Sequence, residues 1–96
     1  MAQGEGMSMG DELRINEDAV EWREVEGEVV ALDVARSEYV AINETGTVLW
    51  RVLQAGATRD DLVSELVQAF EVDAETAARD VDAFLAALSE RNLLLR

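Results

Sequence analysis

Two short runs of alternating apolar and polar residues pass directly into a helical pattern in the first half of the chain. Residues 28–33 and 38–42 alternate with a period of two, and apolar residues at helical spacing follow: Val48, Leu49, Val52 and Leu53. A period of two indicates a half-buried strand, and a period near 3.6 indicates an amphipathic helix. The pattern predicts a β-hairpin whose second strand leads straight into a helix, which places a sheet edge beside a helical layer.

Further alternation precedes this hairpin. A turn is predicted at Glu26-Gly27, because Gly takes positive φ at no steric cost. The whole segment predicts an antiparallel three-stranded meander with one buried face. Residues 1–12 mix Gly, Ser and polar residues without a period, so we expect a mobile tail followed by one domain over residues 13–96. The apolar positions of the earlier alternation are Leu13, Ile15, Val20, Trp22 and Val25.

Start and stop signals predict three helices in the second half of the chain. The predicted caps are Asn43, Thr58 with Asp61, and Asp73, and the predicted ends are Gly56 and Asn92. The apolar stripes of the last two helices are Leu62, Val63, Leu66, Val67 and Phe70, then Ala77, Val81, Phe84, Leu85 and Leu88. Leu93-Leu94-Leu95 is expected to be a short extended segment. The predicted fold is α+β and winged-helix-like: a three-stranded antiparallel sheet followed by a three-helix bundle, in the order β-β-β-α-α-α.

The composition lacks most of the groups that catalysis uses. The chain has no Cys, His, Pro or Lys, so it offers no thiol nucleophile, no imidazole base and no thiolate or imidazole metal ligand. Asp61 and Glu65 lie four residues apart and could share a hard cation. No Ca²⁺-binding loop is present, which favours a solvated acidic face instead. We therefore expect a protein that is not an enzyme and that uses no cofactor or metal.

The charge is strongly acidic, with 21 acidic residues against 8 Arg and a net charge of −13. A winged helix that binds DNA concentrates positive charge on its last helix, whereas residues 73–91 hold five acidic residues and two Arg. Nucleic acid and anionic membrane surfaces are thus unexpected partners. No apolar run approaches the roughly 20 residues of a membrane span and no signal segment opens the chain, so a cytoplasmic location is expected. The charge serves solubility or steers a basic partner.

The aromatic residues divide into two groups. We expect Trp22, Trp50, Phe70 and Phe84 to lie in the core, because a small domain must bury its large side chains. Tyr39 has two interpretations, structural packing or a contact in a peptide groove, since Tyr is enriched at interfaces.

The sequence resembles the PqqD-like family over about residues 13–95. These proteins are leader-peptide recognition elements of pathways that modify ribosomally made peptides. No single motif is specific to the family, but the order and spacing of all the motifs together are. The matching motifs are Glu28-Val29-Val30-x-Leu32-Asp33, Ser37-x-Tyr39-x-x-Ile42-Asn43-x-x-Gly46-x-x-Leu49-Trp50, Gly56-x-Thr58, Asp73, Asp80-Val81-x-x-Phe84-Leu85-x-x-Leu88 and Leu93-Leu94.

The resemblance implies a domain that binds the leader of a precursor peptide as an extra strand on residues 38–42, in a cleft beside the helix at 73–91. In such β-augmentation, main-chain hydrogen bonds give affinity and side-chain pockets give specificity. Leu85 could instead serve the core. The residues expected to bind the peptide are Glu38, Tyr39, Val40, Ala41 and Ile42 on the strand and Arg79, Asp82, Leu85, Ala86 and Ser89 on the helix.

Two departures from the family pattern guide the choice of pathway. Members dedicated to pyrroloquinoline quinone biosynthesis carry a Pro-Glu pair that is missing here, and Asn92 replaces the usual Gly. The expected function is therefore a non-catalytic adaptor that presents a precursor to a modifying enzyme, such as a radical-SAM maturase or leader peptidase, in a lasso-peptide, radical-SAM or related pathway. The expected enzyme-docking residues are Asp60, Asp61 and Glu65. The alternative is an acidic winged-helix-like module for regulatory protein–protein contacts, without a peptide precursor.

Overall fold

A computed structural model describes residues 12–96. The predicted tail, residues 1–12, lies outside the described residues except for Glu12. The element order is β1 (Arg14–Ile15), β2 (Val20–Val25), β3 (Glu28–Asp33), β4 (Glu38–Ala41), α1 (Glu44–Ala55), α2 (Arg59–Phe70), α3 (Ala74–Glu90) and β5 (Leu94–Leu95). The predicted α+β fold, an antiparallel sheet followed by three helices, is confirmed.

The main sheet is the predicted three-stranded antiparallel meander, in the order β2-β3-β4. The residues Trp22, Ala31 and Val40 lie side by side in one cross-strand row, and the row Glu21, Leu32 and Tyr39 lies on the opposite face. The first face is packed on the helices and the second faces away from them. The turn between β2 and β3 has positive φ at both Glu26 and Gly27, as a type I′ hairpin requires.

A second, two-stranded sheet joins the two ends of the described chain. β1 pairs antiparallel with β5, so that Ile15 lies opposite Leu94, and Leu13 forms an isolated bridge with Ala57. The sequence predicted both segments as extended but did not predict that they pair. This small sheet fixes the end of the chain beside α1.

The predicted caps are confirmed. Asn43 Oδ1 accepts a hydrogen bond from the Gly46 N–H at 2.8 Å and begins α1. Thr58 and Asp61 form the reciprocal capping box of α2, each side chain accepting from the other's backbone N–H at 3.1 Å. Asp73 begins α3, and Asn92, at φ 59°, takes the predicted left-handed conformation just after it.

One core runs between the inner face of the sheet and the three helices. Trp50 is fully buried, and the ring of Trp22 meets it edge-on with centroids 5.8 Å apart. Trp22, Phe70 and Phe84 are only partly buried and pack against this core. The prediction of core aromatics is therefore confirmed in full for Trp50 alone. None of the helices within residues 12–96 is long and apolar enough to cross a membrane.

Candidate functional site: an open sheet edge beside the last helix

The edge of the main sheet at β4 carries unpaired main-chain groups. β4 pairs with β3 on one side, and no other strand of residues 12–96 pairs with its far side. The Ile42 N–H donates to the Val29 carbonyl at 2.9 Å, so Ile42 points toward β3. Because the direction alternates along an antiparallel strand, the N–H and C=O groups of Tyr39 and Ala41 point to the open edge. This edge can accept another strand.

The chain leaves the sheet at Ile42 because a side chain interrupts the pairing there. The buried Thr47 hydroxyl accepts a hydrogen bond from the Val29 N–H at 3.0 Å and donates to the Ile42 carbonyl at 3.4 Å. In a continued ladder these two main-chain groups would bond to each other. The hydroxyl replaces that bond, so β4 ends and α1 begins without leaving either group unsatisfied.

A groove lies between this strand and α3. It has a volume of about 210 Å³, and apolar side chains form most of its wall, with Asn43 and Arg91 among its polar residues. Its lining is Val40, Ala41, Ile42, Asn43, Phe84, Ala87, Leu88, Arg91 and Leu93. An extended peptide that pairs with β4 could therefore place side chains in a largely apolar channel.

A second hollow continues the groove toward the start of α1. It has a volume of about 330 Å³ and shares Asn43 and Phe84 with the first. Its remaining lining residues are Thr45, Gly46, Leu49, Asp80 and Ala83. From Asp80 to Arg91 the groove follows α3 and its C-cap residue, a rise of roughly 16 Å along the helix axis.

The close approach of α1 to α3 depends on Gly46. A Cβ atom at this position would lie 2.6 Å from Ile42 Cγ2 and 2.9 Å from Phe84 Cε1. Both distances are shorter than side-chain contacts allow, so any larger residue would displace the groove wall. Gly46 is thus a shaping residue of the site.

A cluster of charged residues closes the Arg91 end of the groove. Arg91 Nη1 donates to Asp33 Oδ2 and to Glu38 Oε1, both at 3.1 Å. Asp33 is only 1% exposed, and Arg36 also contacts it, at 3.5 Å. Burial raises the pKa of Asp33, but the hydrogen bond from Arg91 and the contacts with Arg36 outweigh it, so this pKa lies below its usual value. The cluster ties β3, β4 and the end of α3 together.

The predicted strand residues lie on or just after β4, whereas the predicted helix residues lie on the side of α3 that is turned away from the two hollows. Val40, Ala41 and Ile42 line the groove, and Glu38 lies at its closed end. Tyr39 is 76% exposed and faces the outer side of the sheet. None of the five predicted α3 residues, Arg79, Asp82, Leu85, Ala86 and Ser89, lines the two hollows.

These α3 residues have other surroundings. Both carboxylate oxygens of Asp82 accept hydrogen bonds from Arg59 of α2, from Nε at 2.7 Å and from Nη2 at 2.9 Å. This ion pair lowers the pKa of Asp82. Leu85 packs in the core, which was the alternative to a place in the peptide groove. Ser89 accepts a hydrogen bond from Arg96, and Arg79 and Ala86 are exposed.

Sequence reasoning missed the α3 residues that do line the groove. Asp80, Ala83, Phe84, Ala87 and Arg91 recur at i, i+3, i+4, i+7 and i+11, which places them on one helix face. That spacing was visible in the sequence, but the core stripe lies immediately beside it. Leu88 belongs to both faces.

The predicted docking acids lie at the beginning of α2. Asp60 and Asp61 are exposed, Glu65 is half-buried, and the Asp61 carboxylate is used by the capping box. The described part of the chain has no cluster of three or more acidic side chains placed to hold a metal ion.

The three-stranded antiparallel sheet followed by three helices, with an open sheet edge beside the last helix, makes this an α+β domain of the predicted winged-helix-like class. The chain is a member of the family described as coenzyme PQQ synthesis protein D (PqqD), whose model matches residues 28–94. A search of curated protein sequences found no significant match.

Two solved structures share the fold. One is TbiB1 in complex with the TbiA(beta) leader peptide, with a TM-score of 0.77 and 31% identity, covering 84% of this chain and 93% of that one. The other is a lasso peptide synthetase B1 complexed with the leader peptide, with a TM-score of 0.75 and 25% identity, covering 88% and 98%.

Proposed function

We propose that this domain is a non-catalytic adaptor that binds the leader segment of a precursor peptide and presents the precursor to a modifying enzyme. The observation that carries the proposal is the open edge of β4 next to the groove of α3. A leader that adds a strand there gains main-chain hydrogen bonds from Tyr39 and Ala41 and buries alternate side chains in the groove.

The pathway that fits best is lasso-peptide biosynthesis. Both similar structures hold a leader peptide, and one of them is a lasso peptide synthetase component. Nearly the whole length of each similar chain is covered, which supports carrying the role over to this domain. Its partner would then be a modifying enzyme such as a leader peptidase.

The lining of the groove supports a revised set of residues for the leader site. Val40, Ala41 and Ile42 stay in the proposed site, and Phe84, Ala87, Leu88 and Arg91 form its helix side. Glu38 takes part through the cluster at the closed end. Tyr39 contributes its main chain at the edge, while its ring faces the other side of the sheet.

The test is a titration with the leader of the precursor encoded in the same gene cluster. Ala41→Pro removes an outward N–H at β4, and we expect leader affinity to fall at least about tenfold. Glu24→Pro is the matched control, because Glu24 lies on the opposite edge of the same sheet and its N–H also points outward. Loss of binding in the control but not in Ala41→Pro would place the leader on β2, and no binding by the unchanged protein would refute the adaptor function.

A further inference from the structure

The outer face of the main sheet, which is turned away from the helices, carries an apolar cluster. Val30 and Leu32 occupy its centre, Tyr39 flanks them on β4, and Val25 lies at the hairpin end. Tyr39 is 76% and Val25 42% exposed. A hollow of about 310 Å³ is lined by five residues of this face, Glu21, Arg23, Val30, Leu32 and Tyr39, together with Trp22, whose ring packs on the other face.

This cluster has no cover among residues 12–96. The solvated face of an antiparallel sheet normally carries polar side chains. Here Val30 and Leu32 are only half-buried although they lie on the central strand, because no described helix packs on that side. Contiguous exposed apolar side chains of this kind mark an interaction surface.

Charge decides which partner fits the face. Acidic residues flank the apolar cluster on two sides, Glu21 on β2 and Glu26 with Glu28 at the hairpin end, and Arg23 is the basic residue among them. A second copy of the chain would bring another net charge of −13 against the same acidic rim, which opposes self-association. A protein with apolar residues at its centre and Arg or Lys at its rim is complementary instead.

The outer face also continues into the edge that takes the leader. Side chains of an added strand alternate between the two faces, so half of them would lie on the outer side, next to Tyr39 and Ala41. A partner on this face would therefore contact the domain and the bound leader at once.

We propose that the outer face of the sheet, centred on Leu32 and Tyr39, is the docking surface for the modifying enzyme and that this enzyme binds the leader-loaded domain more tightly than the empty one. The inference rests on the proposed adaptor function. It assigns the apolar part of the enzyme contact to the sheet and leaves the acidic residues of α2 a steering role.

The experiment measures the affinity of the domain for the modifying enzyme encoded beside the precursor gene, with and without saturating leader. Leu32→Glu places a charge at the centre of the face. Leu95→Glu is the matched control, because Leu95 is 48% exposed on the other, two-stranded sheet. We expect Leu32→Glu to weaken enzyme binding at least about tenfold and Leu95→Glu to change it less than about twofold. We also expect leader to tighten enzyme binding to the unchanged protein.

Leader affinity is titrated separately on the same variants and is expected to stay within about twofold, since Leu32 faces away from the groove. If Leu32→Glu lowers the melting temperature strongly, Leu32→Thr removes the apolar contact with a residue that suits a strand. Unchanged enzyme affinity in the folded Leu32 variants, an equal loss in Leu95→Glu, or no enzyme binding at all would each overturn the proposal. Absence of leader binding by the unchanged protein would instead refute the adaptor function, while the leader-free arm still tests the docking face.

Discussion

Arg91 joins three parts of the domain through one nitrogen. Its Nη1 donates to Asp33 on β3 and Glu38 on β4, while its own backbone follows the last turn of α3. Asp33 is almost completely buried, and a buried carboxylate is strongly destabilising unless it is paired. The pairing therefore fixes the beginning of the edge strand relative to the helix, and with it the width of the groove at that end.

The lowered pKa of Asp33 predicts how stability changes in acid. A carboxyl whose folded pKa lies below its unfolded value, about 3.9, stabilises the fold fully above that value and loses the contribution as pH falls through the folded pKa. Asp33→Asn should be less stable than the unchanged protein at pH 7, and the difference should shrink below about pH 4. Urea unfolding at both pH values measures this. Asp18→Asn, at an exposed residue, is the control, and a difference for Asp33→Asn that grows in acid would contradict the account.

At the scale of elements, local side-chain chemistry made the helix starts predictable. Asn43, Asp73 and the Thr58–Asp61 box each act within three residues, so the sequence contains the whole interaction. The pairing of β1 with β5 was not predictable in this way, because it joins segments about 80 residues apart in the described part of the chain. Positive φ was predicted where Gly27 and Asn92 stand but was missed at Glu26, Ser37 and Glu71, because residues of these types disfavour the left-handed conformation.

Glu71 offers a test of this element-scale strain. It ends α2 at φ 54° and ψ 37°, where a non-Gly residue is disfavoured. Glu71→Gly should raise the free energy of unfolding by about 0.5–1 kcal/mol, since Gly takes this conformation freely. Gln68→Gly, inside the same helix, should lower it by about 1 kcal/mol. Thermal or urea unfolding measures both, and destabilisation by both variants would show that Glu71 is not strained.

The rotation of α3 limited the prediction of the site. Each residue turns a helix by about 100°, so the predicted residues Asp82, Leu85 and Ala86 lie roughly half a turn away from the groove residues Asp80, Ala83 and Phe84, which stand two positions earlier. Both stripes contain Ala and large apolar residues, and hydrophobicity alone does not separate the core face from the groove face. The strand side was easier, because alternation on residues 38–42 fixes which side chains share a face.

At the scale of the whole molecule, the net negative charge acts on a partner before contact, whereas apolar contacts contribute only once the two surfaces meet. Exposed charges are screened beyond roughly 8 Å at physiological salt, whereas burial of apolar surface is nearly indifferent to salt. A net charge of −13 should therefore influence the rate of encounter with a basic enzyme more than the affinity for the leader.

Reversing acids at the start of α2 tests the predicted steering surface. Asp60→Arg with Glu65→Arg should lower the association rate with the modifying enzyme about two- to tenfold at low salt and leave leader affinity unchanged. Asp61 is kept, because its reversal would also remove the half of the capping box that its carboxylate supplies. Glu17→Arg with Asp18→Arg makes the same change of net charge elsewhere. Equal slowing by both pairs, measured by stopped flow at several salt concentrations, would show that net charge matters and the α2 surface does not.

The most direct measurement of leader binding at the β4 edge is amide hydrogen exchange, followed residue by residue by NMR with and without the leader peptide. The N–H groups of Tyr39 and Ala41 point to the open edge, while that of Ile42 is already bonded to Val29. The account predicts that the leader slows amide exchange most at Tyr39 and Ala41. It also predicts that the NMR chemical shifts of Phe84 and Ala87 change, because these residues line the groove. Slowing confined to Trp22 and Glu24 on the opposite edge, or to α1 and α2, would contradict it.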